Sequence, residues 1–145
     1  MRVIWGLQNI VEPFVVQVAE MPRGFGPCVT AAIVNADNEF IAGVVFHNYS
    51  PEGGVIEASA ASIDARWATR SVLSELMAYV FPRCQMLVAR ASPDNKRVMR
   101  LWKALGAQEY IIPRLRGRTA SEAILCVTDD AWAKSKLNEA TNGQT

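Results

Sequence analysis

The chain is short of the residues that build most metal and covalent sites. Among its 145 residues there is one histidine, His47, and three cysteines, Cys28, Cys84 and Cys126, with no C-x-x-C pair. A Cys/His zinc site is therefore not expected. An odd number of scattered thiols fits a reducing compartment, where they serve as small core residues, so the expected location is the cytoplasm. Long apolar runs are also lacking. No uncharged stretch reaches the roughly 18 residues of a membrane span, and Glu12 and Pro13 interrupt the apolar N-terminus. No signal-peptide cleavage pattern is read either. Nor is there an excess of one charge: 15 Lys and Arg face 14 Asp and Glu, so bulk electrostatics select no partner. Repeats, linkers and low-complexity blocks are missing as well.

What is present is a globular composition, half apolar and one-fifth charged. The length suits one domain with a real core, expected over residues 1–136 with a polar tail at 137–145. "VEPFVVQVAEM" (11–21) reads as a short helix with Pro13 in its first turn, where a missing N–H is harmless. "RGFGP" breaks the chain. "CVTAAIVNA" and "FIAGVVFHNY" are β-rich runs joined by "DNE", a hairpin signal. After the turn "SPEGG" comes "VIEASAASI", a strand rich in small residues. Residues 66–81 carry Val72, Leu73, Leu76, Met77 and Val80 at helical spacing. "QMLVAR" is a buried strand. In "SPDNKRVMRLWKALG", Ser92 is the expected N-cap, Pro93 the first helical position and Gly106 the left-handed stop. "QEYII" and "EAILCVT" are strands joined by the basic turn "PRLRGRTAS", and Thr128 caps a last short helix at "TDDAW". The order α-β-β-β-α-β-α-β-β predicts an α/β (mixed α+β) domain with a mainly antiparallel central sheet flanked by helices.

Three stretches within residues 40–132 carry a family likeness. The first is "GVIEASAAS" followed by "DARWATRS". The second is "NKRVMRLWKALGAQEY", with Asn95, Leu101, Trp102, Leu105 and Gly106 in register. The third is "EAILCVTDDAW". Together they resemble the GNAT superfamily of acyl-CoA-dependent N-acyltransferases, and the wording is similar to members encoded by bacteriophages and prophages. The resemblance implies acetyl-CoA as donor and an amine as acceptor. It also implies a V-shaped opening where the strand ending near Ser62 splays from Met86–Arg90. In that gap Ser62, Ile63, Arg66, Ala68, Thr69, Arg70, Ser71 and Asn95 would contact the cofactor. Two positions depart from the family pattern. The pyrophosphate loop, usually (Gln/Arg)-x-x-Gly-x-(Gly/Ala), here runs Arg66 to Ser71 without glycine, and Trp102 replaces a tyrosine that often protonates the departing thiolate.

Each candidate has a plainer reading beside the functional one. A helix start offers free N–H groups and a positive dipole to a pyrophosphate, with Thr69, Ser71, Arg66 and Arg70 as side-chain donors. The same residues also describe a capped surface helix. Glu57 sits mid-strand among small residues, where it serves either as the base that takes an amine proton or as an outward-facing strand residue. Asn95 is a cofactor contact or an ordinary first-turn residue. His47 is a candidate substrate or proton-relay residue. An indole N–H is no acid at neutral pH, so Trp102 packs in the core or against the cofactor; Tyr110 or Tyr49 could stand in as the acid. Residues 96–118 hold Lys96, Arg97, Arg100, Lys103, Arg114, Arg116 and Arg118 against Glu109 alone. If extended, Arg114, Arg116 and Arg118 share a face that could grip a cofactor phosphate, an acidic substrate, nucleic acid, a protein partner or a phage particle. No aromatic residue interleaves with them, which disfavours nucleic acid. The competing role is a weak or inactive binding or structural module of the same fold, such as a virion-associated or host-interaction protein.

Overall fold

The computed structural model describes residues 1–19 and 23–138. The first half comprises β1 (Arg2–Trp5), α1 (Gln8–Val18), β2 (Cys28–Val34), β3 (Phe40–Ser50) and β4 (Val55–Ser62). The second half comprises α2 (Arg70–Val80), β5 (Met86–Ala91), α3 (Lys96–Leu105), β6 (Gln108–Gly117), β7 (Ala120–Thr128) and α4 (Asp129–Ala133). The strands form one sheet in the order β1-β2-β3-β4-β5-β7-β6. Every pairing is antiparallel except that of β4 with β5. This is the mixed, helix-flanked sheet that the sequence predicts.

Strand alternation divides the core between the two faces. On one face α2 lays Val72, Leu76, Met77 and Val80 over Val44, Phe46, Ile56, Ala58 and Leu87. Alongside, α3 adds Val98, Met99 and Trp102 over Ala89, Ala123 and Leu125. On the other face α1 packs Val11 and Val15 against Ala32, Val45 and Ala61. Gly43 permits this approach, since a Cβ there would meet Val11 at 2.9 Å and Val15 at 3.2 Å. α1 covers β2, β3 and β4. Further along its face, Arg90, Gln108, Tyr110 and Ile112 stand exposed on β5 and β6.

Several boundaries differ from those expected, each for a physical reason. β1 was not expected; it is a short edge strand whose partly buried Val3 and Trp5 pack on the α2 side of the core. α1 starts at Gln8, so Pro13 lies inside the helix and not in its first turn. Pro13 and Asn9, whose carbonyl loses the bond, both face solvent, where water replaces the missing donor. The end of the expected helix, residues 20 and 21, lies outside the described residues. α2 begins at Arg70, preceded by a single 3-10 turn at Ala65–Trp67. Ser92 does not cap α3. Asn95 does, accepting from the Val98 N–H at 3.3 Å, while Ser92 accepts from Asp94 in the turn before it. The basic "PRLRGRTAS" is mostly strand: β6 runs to Gly117 and β7 starts at Ala120, with the register shifting between Ile112 and Gly117. Arg114 has φ +68° within that irregularity, so the three arginines do not follow simple alternation. Gly106 ends α3 in the left-handed region, and Thr128 caps α4, both as expected.

Candidate active site

β4 and β5 pair only at Val55↔Met86, Ile56↔Leu87 and Glu57↔Val88. Beyond that point β4 continues to Ser62 and β5 to Ala91 without pairing to each other, each held by its outer neighbour. The two strands therefore part and open a cleft of about 1370 Å³. This is the splay expected between the strand ending near Ser62 and Met86–Arg90. The run Ala58, Ser59, Ala60, Ala61, Ser62 lines it with small side chains, which explains the composition of β4. Ala89, Arg90 and Ala91 form the β5 side, and Arg97, Arg100, Leu101 and Trp102 of α3 close the flank.

Glu57 stands at the last paired position, where the V begins. Its side chain is 21% exposed and lies 3.7 Å from His47 Nε2. The Asn48 amide donates to Glu57 Oε1 at 3.1 Å. Asn48 has φ +51°, within a register shift of the β3–β4 pair between His47 and Ser50. His47 is 2% exposed, packs against Phe25 with ring centroids 4.7 Å apart, and meets Ser59 Oγ at 2.9 Å. Burial lowers the His47 pKa, and the neighbouring Glu57 carboxylate offsets this only in part. The imidazole is thus neutral near pH 7.

The loop before α2 behaves differently. Asp64 accepts from the Arg66 N–H at 2.9 Å and from its guanidinium at 3.1 and 3.0 Å. These hydrogen bonds hold the Asp64 carboxyl below its usual range. Thr69 Oγ1 is occupied in capping the Val72 N–H at 3.2 Å. The amides of Ala68, Arg70 and Ser71 are left without an intramolecular partner among the described residues.

The residues proposed from sequence are thus only partly brought together. Glu57, Ser62, Ala68, Asn95 and His47 line the cleft. Thr69, Arg70 and Ser71 sit at the start of α2 beside it, whereas Ile63 is exposed and Arg66 is turned onto Asp64. Trp102 lines the cleft and also packs into the clusters under α2, α3 and α4. Among the described residues no tyrosine lines the cleft; Tyr49 and Tyr110 are about half exposed elsewhere. Arg116 lines it and pairs with the buried Glu122 at 3.0 and 3.2 Å. Sequence reasoning passed over Arg90, Ser59, Asn48 and Glu122. The His47–Glu57 contact was within reach, since these residues face each other across the β3–β4 turn.

A sheet that divides between a parallel central pair, with a helix start at the mouth of the V, is the fold of GNAT acetyltransferases. Solved structures share the overall fold. A mutant form of the spermidine N-acetyltransferase SpeG from Vibrio cholerae matches with TM-score 0.72 at 8% identity, covering 92% of this chain and 98% of that one. A GCN5-related N-acetyltransferase from Brucella melitensis matches with TM-score 0.67 at 20% identity, covering 91% of this chain and 62% of that one. No protein-family model and no curated protein matches the chain. The likeness is therefore one of fold.

Proposed function

We propose that this chain is an acyl-CoA-dependent N-acyltransferase, moving an acetyl group from acetyl-CoA to an amine. The observation that carries the reading is the parting of β4 and β5 directly after Glu57. Acetyl-CoA, when bound, would supply an activated acetyl group as a thioester. The residues present fit it. The unpaired edges of Ala58–Ser62 and Ala89–Ala91 offer backbone groups to an amide-bearing arm, and the small β4 side chains leave room. The free amides of Ala68, Arg70 and Ser71 face the needs of a pyrophosphate, with positive helix dipole behind two of them. Arg97 and Arg100 add charge from α3.

Glu57 holds the position of a base. Asn48 orients one carboxylate oxygen, and the Nε2 of the neutral His47, which also meets Ser59 Oγ, stands beside the other. With acetyl-CoA bound, Glu57 would take the proton of the amine nitrogen as its new bond to the acetyl carbon replaced the thioester's carbon–sulfur bond, the electron pair staying on the sulfur. Trp102, standing in place of a phenol, would offer the thiolate no side-chain acid. Acetyl transfer to a panel of amines and amino-terminal peptides, by wild type and Glu57→Gln, tests the reading. Turnover that Glu57→Gln abolishes supports it; no turnover with any acceptor overturns it.

A second reading keeps the fold as a binding or structural module, as in a bacteriophage particle or a host-interaction protein. The glycine-free loop and Trp102 favour it, and the comparisons lend it no support. Since Arg116 is engaged by Glu122, a protein partner would fall to Arg114 and Arg118. Charge reversal at those two positions would then abolish a pull-down while leaving any transfer intact.

A further inference from the structure

We propose that the acceptor is an amine that also carries a carboxylate, and that Arg90 is the residue that selects it. The inference rests on the N-acyltransferase reading and adds the substrate class. Leu87 and Ala89 point into the core under α2 and α3, so alternation sends Val88 and Arg90 to the opposite face, the one shared by Glu57, His47 and Ser59. Glu57 is level with Val88. With a rise of about 3.3 Å per residue and strands about 4.8 Å apart, the Arg90 Cα lies roughly 8 Å from that of Glu57, and the splay widens this. A base and a guanidinium at that spacing would straddle a small molecule with an amine at one end and a carboxylate at the other.

The charges around this position point the same way. Among the described residues, four arginines line the cleft, Arg90, Arg97, Arg100 and Arg116, against two glutamates, Glu57 and Glu122. Arg116 and Glu122 neutralise each other. Arg90 has no carboxylate partner among the described residues. Arg97 and Arg100 project from α3, which covers the other face of the sheet, where the cofactor phosphates are assigned. Among the described residues this leaves, on the acceptor side, one proton-accepting carboxylate and one unmatched guanidinium. A polycation placed here would meet Arg90 at close range, whereas a carboxylate would form a charge-assisted, two-pronged contact with it.

The experiment compares matched acceptors. Coenzyme A release is followed with α-amino acids, the same compounds as amides, their decarboxylated amines, and spermidine, using wild type, Arg90→Gln, Arg90→Lys and Arg90→Glu. Equilibrium binding of the same compounds to the cofactor-free protein is measured by calorimetry, and thermal unfolding checks that each variant is folded. The expected result is at least a tenfold preference of wild type in kcat/KM for the carboxylate-bearing member. Arg90→Gln should lose at least fivefold more on the carboxylate members than on their amides, mainly through KM. Arg90→Lys should restore part of that loss, and Arg90→Glu should invert the preference. Equal or better use of spermidine or the decarboxylated amines, or a loss that falls evenly on all acceptors, overturns the proposal. Arg90-dependent binding of the carboxylate compounds without turnover would sink the enzyme reading, and the acceptor role with it, and keep only Arg90 as a carboxylate-binding residue. Neither binding nor turnover would sink both.

Discussion

The loop before α2 and the flank formed by α3 both carry arginines beside the same cleft, yet they offer opposite things to an anion. In the loop two of the side chains are already engaged: Arg66 is held by Asp64, and Thr69 caps its own helix. What remains free there, among the described residues, is the backbone amides of Ala68, Arg70 and Ser71 and the exposed Arg70 side chain. On α3 Asn95 caps the Val98 N–H as Thr69 caps that of Val72, and the guanidinium groups of Arg97 and Arg100 line the cleft. Counting arginines in a sequence therefore misplaces the charge. A guanidinium two residues from an aspartate is already partnered, while one on an open helix flank without a carboxylate nearby is available.

The largest expected effect concerns the point where the two regions converge. Glu57→Gln should lower turnover by about 10²- to 10⁴-fold while acetyl-CoA affinity stays within about twofold, as expected for loss of a general base. The pH–rate profile of wild type and variant checks it. Next come substitutions that set one region against the other. Charge reversal at both Arg97 and Arg100 should weaken acetyl-CoA binding by more than about tenfold, whereas Arg66→Ala should change it by less than about twofold, since Arg66 is matched already. Comparable losses from both would erase the distinction drawn between loop and flank.

How far the sequence disclosed this site follows from the same distinction. Local patterns revealed the elements well: the stripe from Val72 to Val80, the left-handed stop at Gly106 and the cap at Thr128 are all decided within a few residues. Glu57 was conspicuous because a carboxylate among alanines needs a reason. Asn95 displaced Ser92 as the α3 cap because both are competent and only the turn geometry chooses between them. Arg90 was hidden because its role depends on where β4 stops pairing with β5, a long-range fact that periodicity does not encode. The pairing of Arg116 with Glu122 was hidden by an irregularity in β6 that looked like a turn.

Two smaller effects probe the scaffold. Thr69→Ala removes the hydroxyl that caps α2 and should cost about 1 kcal/mol in denaturant unfolding. Arg70 and Ser71 keep their free amides in this variant, so cofactor affinity should fall less than stability suggests. His47 gives a pH signature. Burial lowers its folded-state pKa, so the unfolded chain binds the extra proton first as pH falls below about 6.5. The stability contributed by the neutral ring is therefore fully present above that pH and is lost as pH falls towards the folded-state value. The wild-type melting temperature should decline between pH 7 and pH 5, and His47→Gln should flatten the decline. An equal slope in both proteins would remove His47 from the account.

The most direct measurement of the central claim is a calorimetric titration of acetyl-CoA into wild type and Ser71→Glu, run in parallel. A glutamate near the start of α2 suits the helix dipole and leaves the fold intact, but it places a negative charge beside the free amides assigned to the pyrophosphate. The account predicts one-to-one binding to wild type and none to Ser71→Glu, with both proteins melting at similar temperatures. Absence of binding to wild type at millimolar acetyl-CoA, or equal binding to both proteins, would contradict it.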